Sequence, residues 1–187
     1  MHINFSINLI IYKDNYVNIF QKIFFCYIII MSVMHMRVIL QRVKKASCEV
    51  DKKIVGKINK GLLILVGFTS TDTSKEIDSI IDKIINLRIF DDESGVMNRS
   101  VLDISGSLLS ISQFTLYADC KKGRRPSYVK ALSGDKAIKL YNEFNEKLSK
   151  TNLKTETGIF GADMKISLIN DGPVTIMLEK ENEDVKK

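Results

Sequence analysis

From Arg37 onward the chain alternates. Val38, Leu40 and Arg42 fall on one face of an extended segment, and Ile39, Gln41 and Val43 fall on the other. That period of two predicts a strand. Ile54–Ile58 and Leu62–Phe68 predict two more, separated by Asn59-Lys60-Gly61, which reads as a hairpin turn. Leu62–Val66 is apolar without interruption, as expected of a strand covered on both faces. The period then changes. Thr73 and Glu76 have capping-box spacing, and Ile77, Ile80, Ile81, Ile84 and Ile85 repeat every three or four positions, so a helix is predicted to open at Thr73. Asp91–Gly95 reads as a loop. Leu108–Thr115 predicts a strand, and the polar stretch Asp119–Pro126 a loop after it. A second helix is expected over Gly134–Lys150, with Ala137, Tyr141, Phe144 and Leu148 on one stripe. Met164–Ile169 and Val174–Leu178 predict closing strands joined across Asn170–Pro173. Strands outnumber helices. The expected fold is α+β, with a mostly antiparallel, curved sheet and two packed helices.

Residues 1–35 read differently, being rich in Ile, Asn, Phe and Tyr. Ile23–Val33 is apolar but shorter than the roughly 20 residues a spanning helix needs. Three readings compete: a weak signal or anchor, an organellar leader that lacks arginine, or untranslated sequence ahead of a start at Met36. The expected organisation is an N-terminal extension over 1–35, one domain over 36–180, and a charged tail over 181–187.

Composition narrows the chemistry. The three cysteines, Cys26, Cys48 and Cys120, lie far apart and form no Cys-x-x-Cys, so neither a zinc knuckle nor a disulfide framework is suggested. A reducing compartment fits, and a cytoplasmic location is expected. The two histidines, His2 and His35, precede residue 36. No Ser-His-Asp triad, Cys-His pair or histidine-based zinc site can therefore form within 36–187. Hydrolysis there has to use other bases, the substrate itself, or backbone groups, and no cofactor or metal is expected. Lys13, Asp14 and Lys22 are the charges of the first 35 residues, so nearly all of the net +6 lies in the remainder. That excess is compatible with a polyanionic partner, although most proteins of similar balance bind no nucleic acid.

Two separated segments carry the candidate chemistry. Ser112-Gln113-Phe114-Thr115-Leu116-Tyr117-Ala118-Asp119 puts hydroxyls and an amide at the end of an apolar strand. There the alternation relaxes, and hydroxyls and backbone N–H groups can meet an ester carbonyl and its developing oxyanion. Read alone, the segment is better explained as a strand with polar residues on its wet face. Asn170-Asp171-Gly172-Pro173-Val174-Thr175 puts one of the chain's two prolines inside a strand-like run. Proline is disfavoured there because it removes a ladder hydrogen bond. The alternatives are a tight trans hairpin turn and a fixed cis peptide.

The two segments together, in this order, resemble the signature pair of the D-aminoacyl-tRNA deacylases, over about Met36 to Glu179. The family pattern begins at Met36-Arg37-Val38, which favours the untranslated reading of 1–35. The resemblance implies a barrel-like sheet with helices outside. It also implies hydrolysis of the ester between a D-amino acid and the terminal ribose of tRNA, with glycine poorly excluded. Ser112, Gln113 and Thr115 would be catalytic. Thr115 would be either a nucleophile or a positioning group, the second if the ribose 2′-hydroxyl assists, which suits a site without histidine. Gly172-Pro173 would be cis and would reach into the partner subunit's site of a homodimer. There its carbonyl oxygens would meet the substrate amino group and leave no room for an L side chain.

Gly158–Met164 resembles the family segment lining the pocket for the terminal adenosine, with Phe160, Gly161, Ala162 and Met164 in contact. Phe114 would also touch substrate, and Arg42 matches a family position near the site. Read from the residues, Arg42 is equally an exposed strand arginine, and Gly158–Met164 a loop with ordinary core anchors. Lys121, Lys122, Arg124 and Arg125 follow the first motif, as phosphate contacts to the tRNA end or as a solvated loop. The implied partner is the aminoacyl-tRNA 3′ end, without DNA or membrane; no helix-turn-helix is recognisable. The rival outside catalysis is an RNA-binding module of the same fold. Within catalysis it is a deacylase for another mischarged small amino acid.

Overall fold

The computed structural model describes residues 35–181. The extension and nearly all of the charged tail assigned above lie outside the described residues. The strands are β1 (His35–Val50), β2 (Lys53–Ile58), β3 (Gly61–Gly67), β4 (Phe90–Asp91), β5 (Met97–Arg99), β6 (Ser107–Ser112), β7 (Lys154–Thr157) and β8 (Lys165–Glu181). The helices are α1 (Ser74–Asn86) and α2 (Gly134–Ser149).

β1 organises the sheet. Its first half pairs antiparallel with β3, its second half with β2, and nearly its whole other edge with β8. Asn59-Lys60 is therefore no hairpin turn. β2 and β3 lie end to end along one edge of β1, and the register runs on across their junction, with Ala46 opposite Ile58 and Val43 opposite Gly61. The hairpin is instead between β1 and β2, where Asp51 and Lys52 both take positive φ (50° and 63°). β6 then pairs parallel with β3, and β7 parallel with β6. Parallel neighbours need crossovers. α1 lies in the first and α2 in the second, so both helices sit over one face. The result is a nearly closed, barrel-like mixed sheet with two helices; three of its five strand pairings are antiparallel, and the small β4–β5 hairpin forms a separate antiparallel sheet.

The two-sided burial of β3 follows. Leu62, Ile64 and Val66 join a core with Val38, Leu40, Leu108 and the α1 isoleucines Ile77, Ile80, Ile81 and Ile84. Leu63 and Leu65 point the other way, into the curled sheet with Val43, Cys48, Ile58, Leu109 and Ile111. α1 opens as expected. Thr73 is the N-cap, its side chain accepts from the Lys75 N–H, and Glu76 accepts from the Thr73 N–H at 2.8 Å. α2 buries Ala137, Tyr141, Phe144 and Leu148.

Two elements escaped the sequence pattern, the short β4–β5 hairpin around the Asp91–Gly95 loop and β7. Two others differ in extent. β6 ends at Ser112, and Phe114–Tyr117 form a 3-10 turn rather than the end of a strand. The ladder stops after Gln113 N–H donates to Val66 O at 2.7 Å; the turn then closes with Ala118 N–H on Thr115 O at 3.0 Å. Buried Tyr117 fixes it, its hydroxyl donating to His35 O at 2.6 Å and meeting Gly67 O at 3.2 Å. The predicted closing hairpin across Asn170–Pro173 is likewise absent. β8 is one 17-residue strand on β1, and Asp171–Val174 bulge out of it opposite Arg42.

Candidate active site

The end of β6 supplies the first motif. Ser112 lies on the last strand residue, and Gln113 and Thr115 flank the start of the 3-10 turn, all three half-buried. Gln113 Nε2 donates to Thr115 Oγ1. An amide donor cannot take a proton from that hydroxyl, so Gln113 orients Thr115 without activating it. The backbone N–H groups of Phe114 and Thr115 have no acceptor among the described residues.

These residues open onto a cleft of about 650 Å³ between the end of β6, the start of α2 and the loop leading into β8. Ser112, Gln113 and Phe114 line one side, and Phe160, Gly161, Ala162 and Met164 another. The structure thus brings together two segments that the sequence places some fifty positions apart. Thr115 stands at the edge, tied through Gln113, and does not itself line the cleft. Phe160 packs on Tyr141 with ring centroids 5.8 Å apart, and Tyr141 donates to Ser110 O at 2.9 Å. Gly158 packs closely: a Cβ there would lie 2.5 Å from Met164 Sδ and 2.9 Å from Ile111 Cδ1, so a larger residue would displace these two side-chain ends. The third wall is 128–134, with Tyr128, Val129 and Leu132, which no sequence motif announces. It is held by Leu132 N–H on Phe68 O at 2.8 Å and Thr69 Oγ1 on Lys130 O at 2.9 Å.

Gly172 and Pro173 are elsewhere. The peptide between them is cis, both residues are exposed, and neither lines the cleft of their own chain. Gly172 has φ +136°, a backbone region that L side chains rarely adopt. The bulge is clamped at both ends. Asn170 Oδ1 accepts from Val174 N–H at 2.7 Å, and Arg42 Nε donates to Asp171 O at 2.8 Å. Arg42 is no exposed strand arginine. It is 6% exposed, and its Nη1 also reaches Ile89 O at 2.8 Å and Asp91 Oδ1 at 3.0 Å. The alternation put it on the core face, and its guanidinium is buried because three oxygens receive it. It does not line the cleft.

Lys121, Lys122, Arg124 and Arg125 are exposed on an arm whose root is pinned by paired bonds between Asp119 and Ser127 (2.8 and 3.0 Å). None of the four forms an ion pair among the described residues. Asp72 is buried beside Thr69, whose N–H donates to its Oδ2 at 2.8 Å, while Oδ1 has no partner. Burial pushes its pKa up to about 7, against the Thr69 bond, which lowers it, with Glu76 adding to the rise. Burial likewise pushes the Tyr117 hydroxyl up. Among the described residues, no group of three or more His, Cys, Asp or Glu could hold a metal, and no helix is long and apolar enough to cross a membrane.

Comparison with known proteins settles the family. A family model described as D-Tyr-tRNA(Tyr) deacylase matches residues 39–179. The chain belongs to this family. A D-aminoacyl-tRNA deacylase of Bacillus cereus (strain B4264) is 60% identical over 146 residues, covering 78% of this chain and all of that protein. One from Clostridium kluyveri is 55% identical over 146 residues, covering 78% and 98%. Among solved structures, one described as c-Myc DNA Unwinding Element Binding Protein is 41% identical with TM-score 0.73, covering 78% of this chain and 99% of its own. A probable eukaryotic D-amino acid tRNA deacylase shares the fold at 17% identity and TM-score 0.68, covering 78% and 100%.

Proposed function

We infer that this protein is a D-aminoacyl-tRNA deacylase, a carboxylic ester hydrolase that frees tRNA from D-amino acids. Family membership supports the reaction. The observation that carries it is the convergence, in one cleft, of the polar end of β6 with the apolar, glycine-containing turn at 158–164. The first suits an ester carbonyl and the second a nucleoside. The terminal adenosine packs against Phe160, Gly161, Ala162 and Met164. The ester carbonyl is then presented to the free N–H groups of Phe114 and Thr115, which stabilise the oxyanion as it forms. Ser112 and Gln113 position the ester. Water attacks the carbonyl carbon, the bond to the ribose oxygen breaks, and that oxygen leaves with a proton as the tRNA hydroxyl. Thr115 positions substrate, since its neighbour is a donor; the ribose 2′-hydroxyl assists the proton transfers.

Chirality is read by a second copy of the chain. Gly172 and Pro173 project from β8 and touch nothing in their own cleft, so a role in selection requires the cleft of a partner. Ile169 and Met177, exposed along β8 at 45% and 61%, give that face an apolar surface fit for a homodimer. There the Gly172 and Pro173 carbonyls accept from the substrate amino group, and the bulge fills the space an L side chain needs. Glycine, with no side chain to exclude, is also hydrolysed. Arg42 acts by fixing the bulge. The basic arm contacts tRNA phosphates, and the protein works in the cytoplasm, where its substrate is.

One solved relative is named for binding DNA. The basic arm would attract either polyanion, but a cleft with unpaired N–H donors beside a nucleoside-sized apolar wall serves an ester-bearing strand end. Release of tyrosine from D-tyrosyl-tRNA but not L-tyrosyl-tRNA tests the reading. Binding of both without turnover would favour an RNA-binding module without chemistry.

A further inference from the structure

The cleft has a floor and a rim of different character. Val66, Phe68, Ile111 and Ala137 line it and are almost completely buried. At the rim, Phe114, Tyr128 and Val129 are 55%, 36% and 91% exposed. Phe114 and Tyr128 meet edge to face, with ring centroids 5.1 Å apart at 73°. Two aromatic rings held against each other at an opening, with a bare valine beside them, are unusual for a surface facing only water. Their position is fixed. Phe114 sits in the 3-10 turn that Tyr117 anchors. Tyr128 directly follows the Asp119–Ser127 bridge, and Ala131 N–H donates to its carbonyl at 2.9 Å. From that same bridge projects the arm carrying Lys121, Lys122, Arg124 and Arg125.

An exposed aromatic platform beside a basic arm without ion pairs is the combination that holds single-stranded nucleic acid: bases stack on the rings and phosphates meet the cations. We propose that Phe114, Tyr128 and Val129 form a second nucleotide subsite, which stacks the base preceding the terminal adenosine while the arm holds the phosphates on its 5′ side. The inference rests on the deacylase reading and deepens it. The floor of the cleft takes the terminal nucleoside and the rim takes its neighbour, so the enzyme grips a strand end of at least two nucleotides. Base identity is not read, because a ring face accepts any base. The rim adds affinity and direction, and the cations admit the strand only with its backbone toward the arm.

The test uses the full chain and two D-tyrosyl esters, one of adenosine alone and one of the trinucleotide cytidylyl-cytidylyl-adenosine. The parent should prefer the trinucleotide ester through a lower KM. Tyr128→Ala should lose about tenfold in kcat/KM on the trinucleotide, in KM, and far less on the adenosine ester. Tyr128→Phe, which keeps the ring, should behave as the parent, and unchanged thermal melting would show that the rim has not collapsed. An equal loss on both esters would make Tyr128 a wall of the adenosine pocket and overturn the second subsite. So would no loss on either, or no parental preference for the trinucleotide. A parent that hydrolyses neither ester would instead contradict the deacylase function, and the subsite would fall with it.

Discussion

Arg42 Nε donates to the carbonyl of Asp171 at 2.8 Å, across the point where β8 leaves its register on β1. The same guanidinium holds Ile89 O and Asp91, so one buried side chain ties the Gly172-Pro173 bulge to the segment after α1. Arg42→Ala should destabilise the fold by about 2–4 kcal/mol, because it leaves buried acceptors unmet. It should also relax discrimination, since the bulge loses its clamp. Arg42→Lys keeps the charge but not the fork and should recover less than half of that stability. Chemical denaturation, with hydrolysis of D- and L-tyrosyl-tRNA, checks both; full selectivity in a folded Arg42→Ala variant would remove Arg42 from the account.

Thr115→Ala should slow hydrolysis by about 100-fold, at the lower end of the range expected for losing one positioned donor, without abolishing it. The reason is the Gln113 amide, which donates to Thr115 Oγ1 and cannot act as a base. Single-turnover rates check this. A trapped acyl ester on Thr115 would overturn the positioning role. A substrate lacking the terminal 2′-hydroxyl should be impaired at least as much as the Thr115→Ala variant, and unchanged turnover would defeat substrate assistance.

Asp72 predicts a pH signature. Its folded pKa of about 7 lies above the unfolded value near 3.9. Between those values the native state holds a proton that the unfolded chain has lost, so the contribution is complete below about pH 4 and is lost as pH rises toward 7. Asp72→Asn mimics the protonated form and should lack this component. Melting temperatures of parent and variant should therefore diverge with rising pH, the variant becoming relatively more stable. Parallel profiles would show that Asp72 does not titrate in this window.

The legible parts were those whose signal is local. The α1 isoleucines and the Thr73–Glu76 box lie within one helix, and the structure agrees residue by residue. Pairing was not legible, because register is information about two segments at once. Asn59-Lys60-Gly61 has hairpin composition, yet β2 and β3 run on along a β1 long enough to hold both. β7 is Lys-Thr-Glu-Thr, whose polar residues alternate with nothing apolar; only its place beside β6 makes it a strand. Of the site, the two motifs were legible and their separation was not. Arg42 gave no sign that its partners would be Asp171, Ile89 and Asp91. The 128–132 wall carries no motif, and it became a wall because its backbone bonds to Phe68 and Thr69.

The basic arm predicts salt dependence. Affinity for aminoacyl-tRNA should fall with ionic strength. Arg124→Ala with Arg125→Ala should flatten that slope by about 0.7 for each single-strand phosphate that is no longer neutralised. Both arginines are exposed and outside the cleft, so turnover at saturating substrate should persist. KM measured from low to moderate salt decides it. An unchanged slope would return the arm to a merely solvated loop.

On the proposed function, this cleft hydrolyses the D-aminoacyl ester and spares the L form. The most direct measurement is deacylation of a matched pair, D-tyrosyl-tRNA and L-tyrosyl-tRNA, by the full chain at equal concentration. D-tyrosine should be released rapidly, and L-tyrosine no faster than its spontaneous rate. Equal hydrolysis of the two, or of neither, would contradict that function.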